Sequence, residues 1–516
     1  MKYKKYIYAF LLTATFIFAE SCSKKKFDIN ANPDDVTDES VTPQVLLPAA
    51  QQYIATTIAS EFWFLTWWMG QGARSGSYQS FTEEETYAFT NDFHVTVWNQ
   101  LYANATNYNL MINKAVASGA GTYEAIGRIM KSHAIQMLVD IYGNVPYTEA
   151  FQGTDLQTPK YDQAVDVYKA IFADLDLAIA KLQDPDVTLA ALNPDISTAD
   201  LMYGGDLTHW IQFANTLRLR MLVHLANGIN STTLAPGIDV AAEAAKITAD
   251  GFIQAGESAS INPGFSGSKP NPYFRFFDTN ESGSGSQRDW ARANAYAIDY
   301  YKYNGDPRID AFYVAPGAAQ VGITFGTPSG NNAPLGSELS TVRGPGLTPE
   351  GAASDAWIFT SVESLFLQAE ARERGILTTG PTAEELTNAA ITESFVYLTF
   401  TEEDAADYIA LNETYPDVDY NAAGGGLYTI LSQKWFALNS IAPYELWTDW
   451  RRTDIVYGAA VGYDPGPPLS IDPANNAPGI PVRLFYPQNE YNYNPANVAE
   501  QGSINVFTSR IFWDLN

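Results

Sequence analysis

The sequence predicts a mainly α protein in which antiparallel helix pairs of tetratricopeptide type alternate with long, aromatic-bearing loops. Apolar residues recur at three- and four-residue spacing over several stretches. Between them lie segments dense in Gly, Pro, Ser and Asn that still carry aromatic rings. The chain has 516 residues, 46% of them apolar and 13% aromatic, ample for a buried core in one large domain or a few fused ones.

In chain order, residues 1–21 read as an export signal: the basic head Met1-Lys2-Tyr3-Lys4-Lys5, then fourteen uncharged residues from Tyr6 to Ala19. That run is too short to span the ~30 Å hydrocarbon core as a helix. The only cysteine, Cys22, follows Ser21 at its end, which resembles a bacterial lipobox and predicts diacylation of Cys22. A free thiol past an ordinary cleavage site is the alternative. Ala19 and Glu20 depart from a strict lipobox, which prefers Leu and a small residue there. Residues 22–44, polar and holding Pro33 and Pro43, read as a lipid-anchored tether, and 45–516 as the folded body.

Helical periodicity is clearest at Ile126, Met130, His133, Met137, Leu138 and Ile141, and again at Ala164, Tyr168, Ile171, Leu175, Ala178 and Leu182, both read as amphipathic. It recurs over 206–229, 357–375 and 427–439. No clean repeat consensus is visible. A loop-rich region covers about 255–350; within it, 15 of the 30 residues from 261 to 290 are Gly, Pro, Ser or Asn. Yet it holds Tyr273, Phe274, Phe276, Phe277 and Trp290, too many rings for a disordered linker, which predicts functional loops.

With 30 Lys plus Arg against 58 Asp plus Glu, the formal charge is −28, so nucleic acid is excluded as a partner. Signal removal leaves 27 basic and 57 acidic side chains. One cysteine allows no internal disulfide and no zinc framework. His94, His133, His209 and His224 lack ligand spacing, and no phosphate-binding loop or nucleophile elbow occurs. Asp417, Asp419 and Asn421 begin like a calcium loop, but Ala422 and Tyr428 stand where glycine and glutamate belong. The pairs Glu84-Glu85 and Glu384-Glu385 read as solvated. No catalytic residue, metal or cofactor is therefore expected.

Aromatics are the excess, and sugars stack on them through their apolar C–H faces. Trp67 and Trp68, in a cluster with Trp63, fit either a core or a ligand platform. Tyr78, Tyr273, Phe277 and Trp290 complete the expected ligand-stacking set.

Several motifs carry a resemblance. Asp28-Ile29-Asn30-Ala31-Asn32-Pro33, Asp140-Ile141-Tyr142-Gly143-Asn144-Val145-Pro146-Tyr147, Tyr203-Gly204-Gly205-Asp206 and Phe213 to Arg220 resemble the SusD/RagB family of nutrient-binding outer-membrane lipoproteins. Gly305-Asp306-Pro307-Arg308, Glu363 to Arg374, Gln433-Lys434-Trp435, Glu445 to Arg452 and Tyr486-Pro487-Gln488-Asn489-Glu490 follow in the same order. The resemblance implies tetratricopeptide-like units packed against a loop-rich ligand-binding half in a single large domain. It also implies a non-catalytic, lipid-anchored outer-membrane protein facing the cell surface. Such a protein binds oligosaccharides or peptides and delivers them to a SusC-like TonB-dependent transporter. Arg218, Arg220, Arg451 and Arg452 would then be structural, paired with carboxylates such as Asp206 or Asp449. Two other readings stay open: a secreted glycoside hydrolase, from the many carboxylates, and a helical-repeat scaffold for envelope assembly.

Overall fold

A computed structural model describes residues 41–229, 233–278, 289–330, 332–344, 351–459, 462 and 466–516. The leader, Cys22, the Asp28 to Pro33 motif and most of the expected tether lie outside the described residues. Pro43–Asn516 forms one compact unit.

Apart from several other helices of four to six residues, its helices are α1 (Pro43–Glu61), α2 (Trp63–Trp68), α3 (Val95–Ser118), α4 (Gly121–Tyr142), α5 (Ala164–Leu182), α6 (Leu207–His224) and the short α7 (Pro272–Phe277). Then follow α8 (Ala295–Tyr303), α9 (Ser361–Glu373), α10 (Ala383–Tyr397), α11 (Glu402–Leu411), α12 (Leu427–Ala437) and α13 (Pro443–Thr453). Side chains set several starts: Asp206 accepts from the His209 N–H at 3.1 Å, and Thr382 with Glu385 forms a capping box for α10. Helices α3 and α4, α5 and α6, α9 and α10, and α12 and α13 pack as pairs, with α6 against α9 joining the halves.

The expected helices occur, with differences: the 206–229 stretch is helical only to His224, with Ala226–Asn227 a short strand, and two others differ as follows. Helix α4 is buried on nearly all sides rather than amphipathic, Arg128 excepted, because α3 and α5 cover it from different directions. In the 357–375 stretch Trp357 belongs to a strand, and the helix begins only at Ser361, where Thr360 caps it.

Besides a two-residue pair, Ala226–Asn227 with Thr233–Leu234, the strands are β1 (Gly72–Arg74), β2 (Ala259–Ile261), β3 (Ala291–Ala293), β4 (Tyr313–Val314), β5 (Thr341–Val342) and β6 (Ala356–Phe359). Four form an antiparallel sheet in the order β1-β3-β5-β4, and β2 pairs with β6. The long loops therefore contain regular pieces, α7 and β5, that fasten them to the helical body.

Many of the helices' charges point inward. Arg452 meets Glu370 and Asp449, and Lys434 lies 2.7 Å from Glu445 and 2.9 Å from Asp449. His224 bridges Asp140 and Glu445 at 3.0 Å each. Burial opposes the charge on His224, yet these carboxylates hold its pKa above the usual imidazole value. Asp140 also accepts from Tyr444 at 2.6 Å and Trp513 at 2.7 Å. Satisfaction by several donors is what makes so many buried charges tolerable.

Candidate functional site

The site builds on a turn. Gly70, at φ +72°, ends α2 and sends the chain into β1; a Cβ there would lie 2.4 Å from the Tyr296 ring. Strand β1 pairs with β3, register Arg74 to Ala291, and the Ser75 N–H donates to the Trp290 carbonyl at 2.7 Å. This brings Trp290 beside the tryptophans of α2, more than two hundred residues earlier.

Trp63, Phe81 and Trp290 are half-buried and meet at centroid distances of 5.2 to 5.9 Å with tilted or edge-to-face geometry. Trp67 forms their base, 5.0 Å from Trp63 and 5.7 Å from Trp290. The support is stiff: Arg74 pairs with buried Glu85 at 2.7 Å, and its guanidinium also donates to the carbonyls of Tyr78 and Thr327. His94 lies 5.5 Å from Trp63, stacks on Phe64 at 4.0 Å and reaches Glu84 at 3.2 Å. A groove of about 390 Å³ runs between α1 and the α7 segment, with Thr56, Ser60 and Gln100 on one wall and Phe265, Lys269 and Phe276 on the other. Half-buried aromatic faces such as those of the platform can stack on a ligand that is apolar on its faces and polar at its rim.

Of the expected stacking residues, Trp290 is half-buried on the platform and Tyr78 is 41% exposed in the segment that Arg74 anchors. Trp67 and Trp68 are 2% and 0% exposed; Phe64, Phe93 and Trp447 pack around Trp68, so neither offers a ring face. Tyr273 and Phe277 are likewise buried, tilted against each other at 4.8 Å with Tyr273 against Trp357. These four rings are core in this structure: α7 turns Tyr273 and Phe277 inward, and the packing around α2 encloses Trp67 and Trp68. Trp63 and Phe81 join the platform beyond the residues that the sequence singles out. The four-residue spacing of Trp63 and Trp67 puts them on one side of α2, but only β1–β3 pairing shows which edge stays open.

Glu85, expected in solvent, is buried against Arg74, and Glu84 binds His94. Asp417 is buried and accepts from Tyr300, so it is committed within the core. His133 is buried, and burial followed by nearby Arg220 pushes its pKa well down. Among the described residues no group of three or more His, Cys, Asp or Glu is placed to hold a metal.

A family profile described as "Starch-binding associating with outer membrane" matches residues 33–487. The chain belongs to this SusD-like family. No curated protein matches. Solved structures share the fold: a chitin-binding SusD homologue from Flavobacterium johnsoniae, at 23% identity and TM-score 0.68, covers 91% of this chain and 99% of its own. A protein described as chitin-binding has 22% identity, TM-score 0.69 and coverage of 92% and 100%. A SusD/RagB family protein from Bacteroides thetaiotaomicron has 18% identity, TM-score 0.71 and the same coverage.

The SusD-like motifs inside the described region serve the scaffold. Arg218 binds Asp176 and Glu243, each at 2.5 Å, and not Asp206, which caps α6. Arg220 binds Glu363 at 3.2 Å, and Arg452 takes Asp449, as expected, plus Glu370. Arg451 has no carboxylate in its hydrogen bonds; it donates to the carbonyls of Asp140 and Val482 and lies 3.6 Å over Trp447. Among the described residues no helix is long and apolar enough to cross a membrane.

Proposed function

We propose that the chain captures neutral oligosaccharides at the cell surface on the Trp63, Phe81 and Trp290 platform, with Tyr78 at its rim, and hands them to a SusC-like TonB-dependent transporter. It acts without catalysis, anchored in the outer membrane through lipid on Cys22 once the 1–21 signal is removed. The observation that carries this reading is the platform: three half-buried rings that meet edge to face on a stiff base. Family membership supports a glycan over a peptide, and the chitin-binding neighbours make chito-oligosaccharide the first probe beside malto-oligosaccharide.

Capture needs only binding. Sugar C–H faces stack on the rings, the hydroxyls find polar partners, and an affinity modest enough to permit release suits hand-over. The test is calorimetry with maltohexaose, N-acetylchitohexaose and a peptide pool, on wild type and Trp63→Ala/Trp290→Ala, with reducing-sugar release followed in the same samples. Glycan binding without release, weakened at least tenfold in the variant, supports the reading. Release abolished by a single Asp or Glu substitution replaces it with a hydrolase, and no glycan binding overturns it. Separately, Cys22→Ser should move the protein out of the membrane fraction.

A further inference from the structure

Helix α3 is a 24-residue helix with five asparagines, Asn99, Asn104, Asn107, Asn109 and Asn113, and one charged residue, Lys114. An ordinary solvated helix face carries Glu, Lys and Arg, which favour helix; asparagine is among the poorer formers, because its amide competes for backbone hydrogen bonds. Asn104 is explained, since it is buried and donates to the Ala50 carbonyl at 3.0 Å. Asn109 and Asn113, four residues apart, share one face of the helix and line a cleft of about 580 Å³.

The opposite wall comes from the loop after Pro146. Gln152 and Gln157 add two more amides, and Tyr102 and Phe151, both half-buried with centroids 6.2 Å apart, supply ring surface. None of the four amide side chains at 109, 113, 152 and 157 is spent on a hydrogen bond within the described residues; Asn109 is half-buried, and Asn113, Gln152 and Gln157 stand exposed at the mouth of the cleft. Phe151 sits at φ +65°, a left-handed conformation that costs a bulky residue and that glycine would adopt freely. No Lys or Arg lines the cleft, and the one carboxylate, Glu490, is tied to the Tyr161 hydroxyl at 2.7 Å.

We propose that this cleft on the helical half is a second binding site for a neutral oligosaccharide, with Asn109, Asn113, Gln152 and Gln157 bonding its hydroxyls and Tyr102 and Phe151 stacking on its rings. Unspent amides can donate and accept at once, as sugar hydroxyls require. The lack of cations excludes an anionic ligand, and the lack of unspent carboxylates disfavours a cationic one. The site shares its ligand class with the platform and rests on the glycan reading only for that. Two such sites on one chain would hold a long glycan by avidity.

The test uses the full mature chain and calorimetry with maltohexaose and N-acetylchitohexaose. Wild type should bind two molecules. Asn109→Ala/Asn113→Ala and Phe151→Gly should each weaken one of the two sites at least tenfold, and Trp63→Ala/Trp290→Ala should weaken the other. Phe151→Gly removes the ring while relieving the backbone, so its thermal midpoint should not fall, which separates site loss from unfolding. A single site, lost in the platform variant and unchanged in both cleft variants, overturns this inference and leaves the proposed function standing. Binding that survives the platform variant but vanishes in the cleft variants supports the inference and overturns the platform.

Discussion

Arg452 and Glu370 meet fork to fork in the core, both N–H···O distances 2.6 Å and neither side chain exposed, although 82 residues separate them. They join α13 to α9. Burial alone would raise the Glu370 pKa, but Arg452 and then Arg374 pull it down to about 2. Glu370→Ala would strand a buried guanidinium beside Asp449 and should cost about 3–5 kcal/mol. Urea unfolding checks this; a loss under 1 kcal/mol would show that Asp449 alone suffices.

Glu363 behaves oppositely. Burial and neighbouring Glu445 push it up to about 7 against the pull of Arg220, from 4.5. A raised carboxyl binds its proton more tightly when folded, so its contribution is complete below pH 4.5 and is lost as pH rises to about 7. Glu370, lowered, loses its contribution as pH falls from 4.5 towards 2. Glu363→Gln should flatten the decline between pH 4.5 and 7 and leave the acid limb intact. An unchanged neutral limb would remove Glu363 as its source.

Trp67 and Trp290 are neighbours with different roles, one the buried base and the other at the surface. Trp67→Ala should cost about 3–5 kcal/mol of stability through the cavity it leaves. Trp290→Ala should cost about 1 kcal/mol of stability while weakening glycan affinity about tenfold. Denaturation and calorimetry on the same samples separate the two, and equal stability losses would refute the division.

Thr399 closes α10 at φ +71°, with its N–H donating to Val396 O and the Phe400 N–H to Phe395 O. That is the glycine position of a helix-ending motif, occupied by a β-branched residue. Thr399→Gly should raise stability by about 1 kcal/mol, relief of strain exceeding the added chain entropy. A fall in the urea midpoint would refute it.

Much of the fold was legible because helical periodicity reports which residues face a core. The stretch at 164–182 matched α5 at both ends, and 427–439 overran α12 by only two residues. Helices α1 and α3 carry weaker periodicity than α5. Pro48 interrupts the first, and asparagines stand where charges would mark the polar face of the second. Composition does not reveal which way a loop ring turns; α7 turns Tyr273 and Phe277 inward.

The sequence by itself determined the helical class and the acidic charge that excludes nucleic acid. These follow from periodicity, charge count and residue type, which are local or additive. Only the tertiary structure decided that Trp290 joins Trp63, that Trp68 is core, and that four unspent amides converge on one cleft. Each is a contact between distant segments, fixed by strand register and helix packing rather than by any local preference.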